Sequence, residues 1–172
     1  MSKLNDKTAL GPLREQNLAQ YFKWRNTPDL WRWCRQSDVL QWYAHIDWFN
    51  GLRDRTDLRM YEILAPKEKC VGVCGLTSID QLNQRAEFSL YVAPEHQGTG
   101  YGKSALALLL SHGFRHLNLN VIWGESFDGN PALQMFEALG FVNEGRRRDF
   151  YFRDGKFIDA HLVSMRRAEW IS

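Results

Sequence analysis

The sequence predicts an α+β fold: one domain over residues 1–172, built on a single mixed, mostly antiparallel sheet of about six to seven strands with helices on both faces. Three observations predict it. The length of 172 residues suits one compact core, and no linker, internal repeat or low-complexity segment interrupts it. The first half reads mainly as a meander of strands, whereas the second half runs strand, helix, strand, helix, strand, which is not the regular alternation of a doubly wound fold. A glycine-rich turn over residues 97–102 marks the change between the two regimes.

In chain order, residues 8–13 read as a short strand, and 17–26 as a helix that stops before Pro28, because a proline biases the preceding backbone away from helix. Residues 37–52 fit a second helix, with Ser37 as N-cap, Leu40, Tyr43, Ala44, Trp48 and Leu52 at helical spacing, and Gly51 near the end. Between these helices Leu30, Trp31, Arg32, Trp33 and Cys34 form an aromatic cluster that suits either core filling or the wall of a substrate pocket. Residues 59–64 and 70–78 are expected to pair around a turn at 65–69, with 85–92 as another strand of the same meander. Pro94 ends that strand. Residues 103–117 form a strongly apolar helix, 121–127 a strand, and 131–139 a short helix that Gly140 stops. A strand near Phe141 and another over 157–165, separated by a turn at 153–156, complete the sheet.

Hydrophobic residues at 44% and charged residues at 24% fit neither a disordered nor a fibrous chain. The formal charge is +2 and the basic residues are dispersed, so no broad cationic face for nucleic acid is expected; Arg146, Arg147 and Arg148 read as a solvated turn rather than a phosphate clamp. The longest apolar stretch, residues 105–110, is too short to cross a bilayer, and the polar start at residues 1–6 lacks a signal-peptide core, so a soluble cytoplasmic protein is expected. Cys34, Cys70 and Cys74 read as reduced thiols, and their even spacing puts Cys70 and Cys74 on the same strand face. The histidines His45, His96, His112, His116 and His161 show no zinc spacing, and no metal is expected.

The glycine-rich turn carries the functional signal. It joins a strand to a helix, and glycines without Cβ, next to exposed N–H groups at a helix start, favour a phosphate ligand. A P-loop would need Gly where Gln97 stands, and a dinucleotide fingerprint would need Gly where Lys103 stands. The run Gln97-Gly98-Thr99-Gly100-Tyr101-Gly102 instead meets the pattern Q-x-x-G-x-G and resembles the pyrophosphate loop of GNAT N-acetyltransferases. Residues 85–95 before it resemble that family's fourth strand, and Asn130 with Leu139, Gly140 and Phe141 resemble the bounds of its last helix. The tail, with Glu144, Gly145, Asp154, Gly155, Lys156 and Asp159, is similar to the branch of spermidine and ribosomal-protein N-terminal acetyltransferases; His45, Trp48 and Leu52 resemble the nucleotide-amino-sugar acetyltransferases.

The resemblance implies the GNAT fold, acetyl-CoA as cosubstrate, and direct transfer of acetyl to a primary amine. Leu90, Tyr91 and Val92 would pair with the pantetheine arm, Gln97, Gly98, Thr99, Gly100, Tyr101, Gly102 and Lys103 would hold the pyrophosphate, Asn130 would anchor the other side of the pantetheine, and Phe136 would also contact the cofactor. Strand alternation places Glu87, Ser89 and Tyr91 on one face and Phe88, Leu90 and Val92 on the other, with the polar set expected to face away from the core. Glu87 resembles the family's strand carboxylate that serves as base, or else is a salt-bridged carboxylate. Phe136 stands where many relatives carry a tyrosine that protonates the thiolate, and phenylalanine cannot donate a proton. Tyr91, Ser89, Tyr101 or water would replace it, or no acid is needed. A non-catalytic CoA-binding protein is the competing reading.

For the acceptor, Arg32, Trp33, His45 and Glu87 are the expected contacts. The segment 30–52 has only Asp38 and Asp47 as acids against Arg32 and Arg35 and four tryptophans, which suits a planar or anionic acceptor such as a nucleotide-linked amino sugar better than a polyamine. The expected partner is thus a small-molecule amine or a protein N-terminus, with no nucleic acid and no membrane, and with a homodimer left open.

Overall fold

The computed structural model describes residues 7–36 and 38–170. Ser37, the expected helix cap, and residues 1–6 lie outside the described residues. The elements are β1 (Ala9–Pro12), α1 (Leu18–Arg25), α2 (Pro28–Trp31), α3 (Trp42–Gly51), β2 (Arg59–Ala65), β3 (Lys69–Asp80), β4 (Arg85–Val92), α4 (Tyr101–Arg115), β5 (Val121–Phe127), α5 (Ala132–Ala138), β6 (Val142–Arg153) and β7 (Lys156–Arg166). Among the described residues the seven strands form one sheet in the order β1-β2-β3-β4-β5-β7-β6. Neighbours run antiparallel except β4 and β5, which are parallel over Arg85↔Val121, Ala86↔Ile122 and Glu87↔Trp123. No helix is long and apolar enough to cross a membrane among the described residues.

Helical periodicity puts Ala105, Leu106, Leu109, Leu110 and Phe114 on one buried stripe of α4. That stripe packs on the face of the sheet carrying Leu76, Ala86, Phe88 and Ile122, with Phe136 of α5 beside it. Tyr21 and Trp24 of α1 and Leu30 of α2 cover the opposite face against Val73 and Tyr91. Fully buried Glu62 of β2 ties that layer down: Arg14 Nε donates to Oε2 at 2.9 Å, Asn17 Nδ2 donates to Oε1 at 2.7 Å, and the Tyr21 hydroxyl donates to the same oxygen.

Several expectations are corrected. The second helix begins at Trp42, not at residue 37, because the Asn26 side chain takes up the backbone of Leu40 from outside, donating to its carbonyl at 3.1 Å and accepting its N–H at 2.8 Å. Its buried side chain is His45, with Ile46 and Phe49 partly packed, while Tyr43, Ala44 and Trp48 face solvent. Cys70 and Cys74 lie on opposite faces. Ile63 pairs Gly72 and Leu64 pairs Cys70, so Val71 is an extra residue that turns Cys70 toward the α1 side while Cys74 packs toward α4. Arg146, Arg147 and Arg148 are not a turn but part of β6, which runs for 12 residues where only a short strand near Phe141 was expected. The polar face of β4 is also covered at Glu87, which is only 6% exposed, with Arg35 of the segment after α2 against its carboxylate.

Candidate active site

After Glu87↔Trp123 the two parallel strands part. Beyond that pair, the Phe88 ring fills the space in which a Cβ on Gly124 would come within 2.4 Å of it, and Phe88 is itself held against Phe136 at 5.0 Å and Phe141 at 5.2 Å between ring centres. The parting opens a cleft of about 670 Å³, walled by β4, β5, the glycine turn, the start of α5 and the segment after α2. Along residues 88–92 the edge of β4 that faces β5 has no strand partner among the described residues.

At one end of the cleft lies the glycine turn. Gly98 and Gly100 adopt φ of +74° and +89°, a region that favours residues without Cβ, and Gly100 caps α4. Gln97 Nε2 donates to the Val92 carbonyl at 3.2 Å and Thr99 Oγ1 to the His96 carbonyl at 2.5 Å, which anchors the turn to the end of β4. Gly102 lets the helix approach the strand, since a Cβ there would stand 3.3 Å from Val92 Cγ2. The first turn of α4 contains no acidic residue, and Lys103 lines the cleft, so its polarity favours an anion.

At the other end are the charged side chains. Arg35 Nη2 meets Glu87 Oε1 at 2.5 Å. Burial pushes the Glu87 carboxyl above its ordinary range, Arg35 opposes that, and the nearby Glu125 charge reinforces it. Glu125, on the facing strand β5, holds Arg147 of β6 at 3.1 Å. Arg153 donates to the carbonyls of Cys34 (2.9 Å) and Arg35 (2.5 Å), so the β6–β7 hairpin pins the segment that supplies Arg35. Burial also raises the Tyr91 phenol, which keeps it protonated.

Of the expected residues, Glu87, Leu90, Tyr91, Val92 and Trp33 line the cleft, as do Gln97, Gly98, Gly100, Gly102, Lys103, Asn130 and Phe136. Thr99 and Tyr101 belong to the turn but do not line it. Arg32 is exposed and paired with Asp29 at 2.9 Å. His45 is buried behind the cleft, its Nε2 3.1 Å from the Leu18 carbonyl and its ring stacked on Trp48, so it braces α3 on α1. The aromatic cluster after α1 divides its roles: Leu30 is core, and Leu30, Trp33 and Cys34 reach the cleft wall. Asn130 Oδ1 accepts the Ala132 N–H at 3.0 Å and so starts α5. The sequence reading missed Glu125, Ser126 and Arg147. The alternation Trp123, Glu125, Phe127 was a usable signal, since the parallel register brings that face of β5 opposite Glu87.

Comparison with known proteins follows the same lines. The model of the acetyltransferase (GNAT) domain matches residues 8–142. An uncharacterized N-acetyltransferase, p20, of Bacillus licheniformis is 31% identical over 136 residues, covering 78% of this chain and 76% of that protein. Spermidine N(1)-acetyltransferase of Vibrio cholerae is 28% identical over 115 residues, 66% of each chain. The crystal structure of spermidine N-acetyltransferase from Vibrio cholerae in complex with CoA and spermine superposes with a TM-score of 0.92 at 22% identity, covering 98% of this chain and 100% of that one.

Proposed function

The chain belongs to the GNAT acetyltransferase family and is an acetyl-CoA-dependent N-acetyltransferase; we propose that transfer takes place in the cleft between β4 and β5, onto a primary amine whose molecule also carries an anionic or planar portion. The observation that carries this reading is the parting of the two strands, which gathers the glycine turn, the free edge of β4 and Glu87 around one opening.

The residues fit acetyl-CoA. Two glycines at positive φ form a cradle without Cβ atoms, and the first turn of α4 and Lys103 offer positive polarity to a pyrophosphate. The unpaired edge of β4 would take the pantetheine amides as a further strand would, with Asn130 opposite. When bound, acetyl-CoA supplies an activated acetyl group and a thiolate leaving group. Glu87 receives the proton of the acceptor's ammonium. Arg35 engages Oε1, which leaves Oε2 for that proton, and the raised affinity for protons brings the base closer to neutral pH. Phe136 is 5% exposed among Phe88 and Phe141 and can contribute only apolar surface. Tyr91, Ser89 and Ser126 are the hydroxyls in the cleft wall that can donate a hydrogen bond to a departing thiolate.

The acceptor lean follows from the charges. A polycation needs several free carboxylates, whereas Glu87 and Glu125 already hold Arg35 and Arg147, and Arg25 and Arg35 line the cleft. A nucleotide-linked amino sugar is therefore placed ahead of spermidine, with an acidic peptide N-terminus as the alternative. The similarity to a spermidine N(1)-acetyltransferase favours polyamines as a second reading. Thiol release from acetyl-CoA, measured with spermidine, short peptides and nucleotide-linked amino sugars, separates them. The anionic acceptors should be turned over best, with loss in Arg35→Ala and none in Arg32→Ala. Efficient turnover of spermidine that ignores Arg35→Ala would overturn the assignment.

A further inference from the structure

Glu125 is the group in the cleft that the transfer reaction leaves unused. Its side chain is 2% exposed, Arg147 Nη1 occupies only Oε2, and Oε1 is buried without a hydrogen bond of good geometry, the nearby Tyr151 phenol acting on the carboxylate without closing one. Leaving a buried carboxylate oxygen without a donor forfeits its hydration, so such a group is expected where a ligand supplies the missing partner. The surroundings fix it in place. Arg147 is itself held over the Phe150 ring at 4.7 Å, and Phe127 and Tyr151 pack at 4.9 Å between centres on the same side of β5. Glu125 stands in the wall facing Glu87, close enough for its charge to act on that carboxyl. Arg35 thus holds one oxygen of Glu87 and Arg147 one oxygen of Glu125, while Oε1 of Glu125 lies buried in the cleft wall.

Resting on the reading of the cleft as an acetyl-transfer site, we propose that Glu125 is its specificity-determining residue, whose Oε1 accepts a hydrogen bond from a second donor that the acceptor carries beside the reacting amine. The donor is a hydroxyl or a second amine within a few bonds of the first. Glu87 then handles the proton of the amine, while Glu125 orients the molecule that bears it. An acceptor without the second donor leaves Oε1 unsatisfied on binding, and the cleft discriminates against it for that reason.

The test uses two matched pairs with acetyl-CoA in a thiol-release assay: glucosamine against cyclohexylamine, and 1,3-diaminopropane against propylamine. In the unmodified protein kcat/KM should favour the donor-bearing member of each pair by about 10- to 100-fold, the size expected of one hydrogen bond to a charged group. Glu125→Leu should remove that preference, chiefly through KM of the donor-bearing member, because any change in the proton affinity of Glu87 is common to both members and cancels in their ratio. Glu125→Gln keeps an acceptor oxygen and should restore part of the preference. Equal losses on both members, or an unaltered preference in Glu125→Leu, would overturn the proposal while leaving acetyl transfer intact. No thiol release with any of the four amines or with a nucleotide-linked amino sugar in the unmodified protein would instead count against the cleft as a transfer site, and against this proposal with it.

Discussion

At Glu87, burial favours the protonated acid and Arg35 at 2.5 Å favours the carboxylate, and burial prevails. A base acts in its deprotonated form, so kcat/KM should rise with pH through a value above the ordinary glutamate range near ~4.3. Removing Arg35 removes the influence that lowers it. Arg35→Ala should therefore move the acidic limb of the pH profile to higher pH, and an unmoved limb would show that Arg35 does not act on the base. Glu62 is the opposite case. Burial alone would raise its carboxyl, but the hydrogen bonds from Arg14, Tyr21 and Asn17 outweigh it, and the group lies below its ordinary range. Its contribution to stability is present above the unfolded value of ~4.3 and is lost as pH falls through the lower folded value. Glu62→Gln should cost about 3–5 kcal/mol at neutral pH and flatten that acid dependence, as denaturant melts at several pH values would show. Glu87 was singled out by its likeness to the family's strand carboxylate, and strand alternation grouped it with Ser89 and Tyr91. Glu62 was not, because its partners sit 41 to 48 positions away and only the packing of α1 on β2 unites them.

Among the elements, the glycine turn makes the sharpest demand on residue type. Gly100 caps α4 at φ +89°, where a β-branched side chain is strained whatever space surrounds it. Gly100→Val should abolish most of the rise in melting temperature that acetyl-CoA produces, since a ligand that binds the folded state stabilises it by mass action. An undiminished rise would place the phosphates elsewhere. Elements fixed by local pattern were read to the residue: β4 as 85–92 and β5 as 121–127, with α4 displaced by two positions at each end. Elements shaped by distant contacts were not. Asn26 holds Leu40 out of helix, the extra residue Val71 turns Cys70 over, and β6 continues past Gly145 and its irregular pairing because β7 templates it.

On the scale of the whole molecule, a sheet that is antiparallel elsewhere contains one short parallel contact, and the cleft opens where that contact ends. The order of strand and helix patterns foretold a mixed sheet, but not which neighbours would part, a point where Phe88 packs closely over Gly124, 36 positions away in the sequence. The charged end of the cleft is assembled from Arg35 after α2, Glu87 on β4, Glu125 on β5 and Arg147 on β6, four segments with no common sequence pattern. In the proposed reaction Glu87, held by Arg35 in this assembly, removes a proton from an amine beside acetyl-CoA. Its most direct test is steady-state turnover of Glu87→Gln with the best acceptor: kcat should fall by roughly 10²- to 10⁴-fold while acetyl-CoA affinity stays nearly unchanged, whereas normal turnover with lowered thermal stability would make Glu87 a structural carboxylate and contradict the claim.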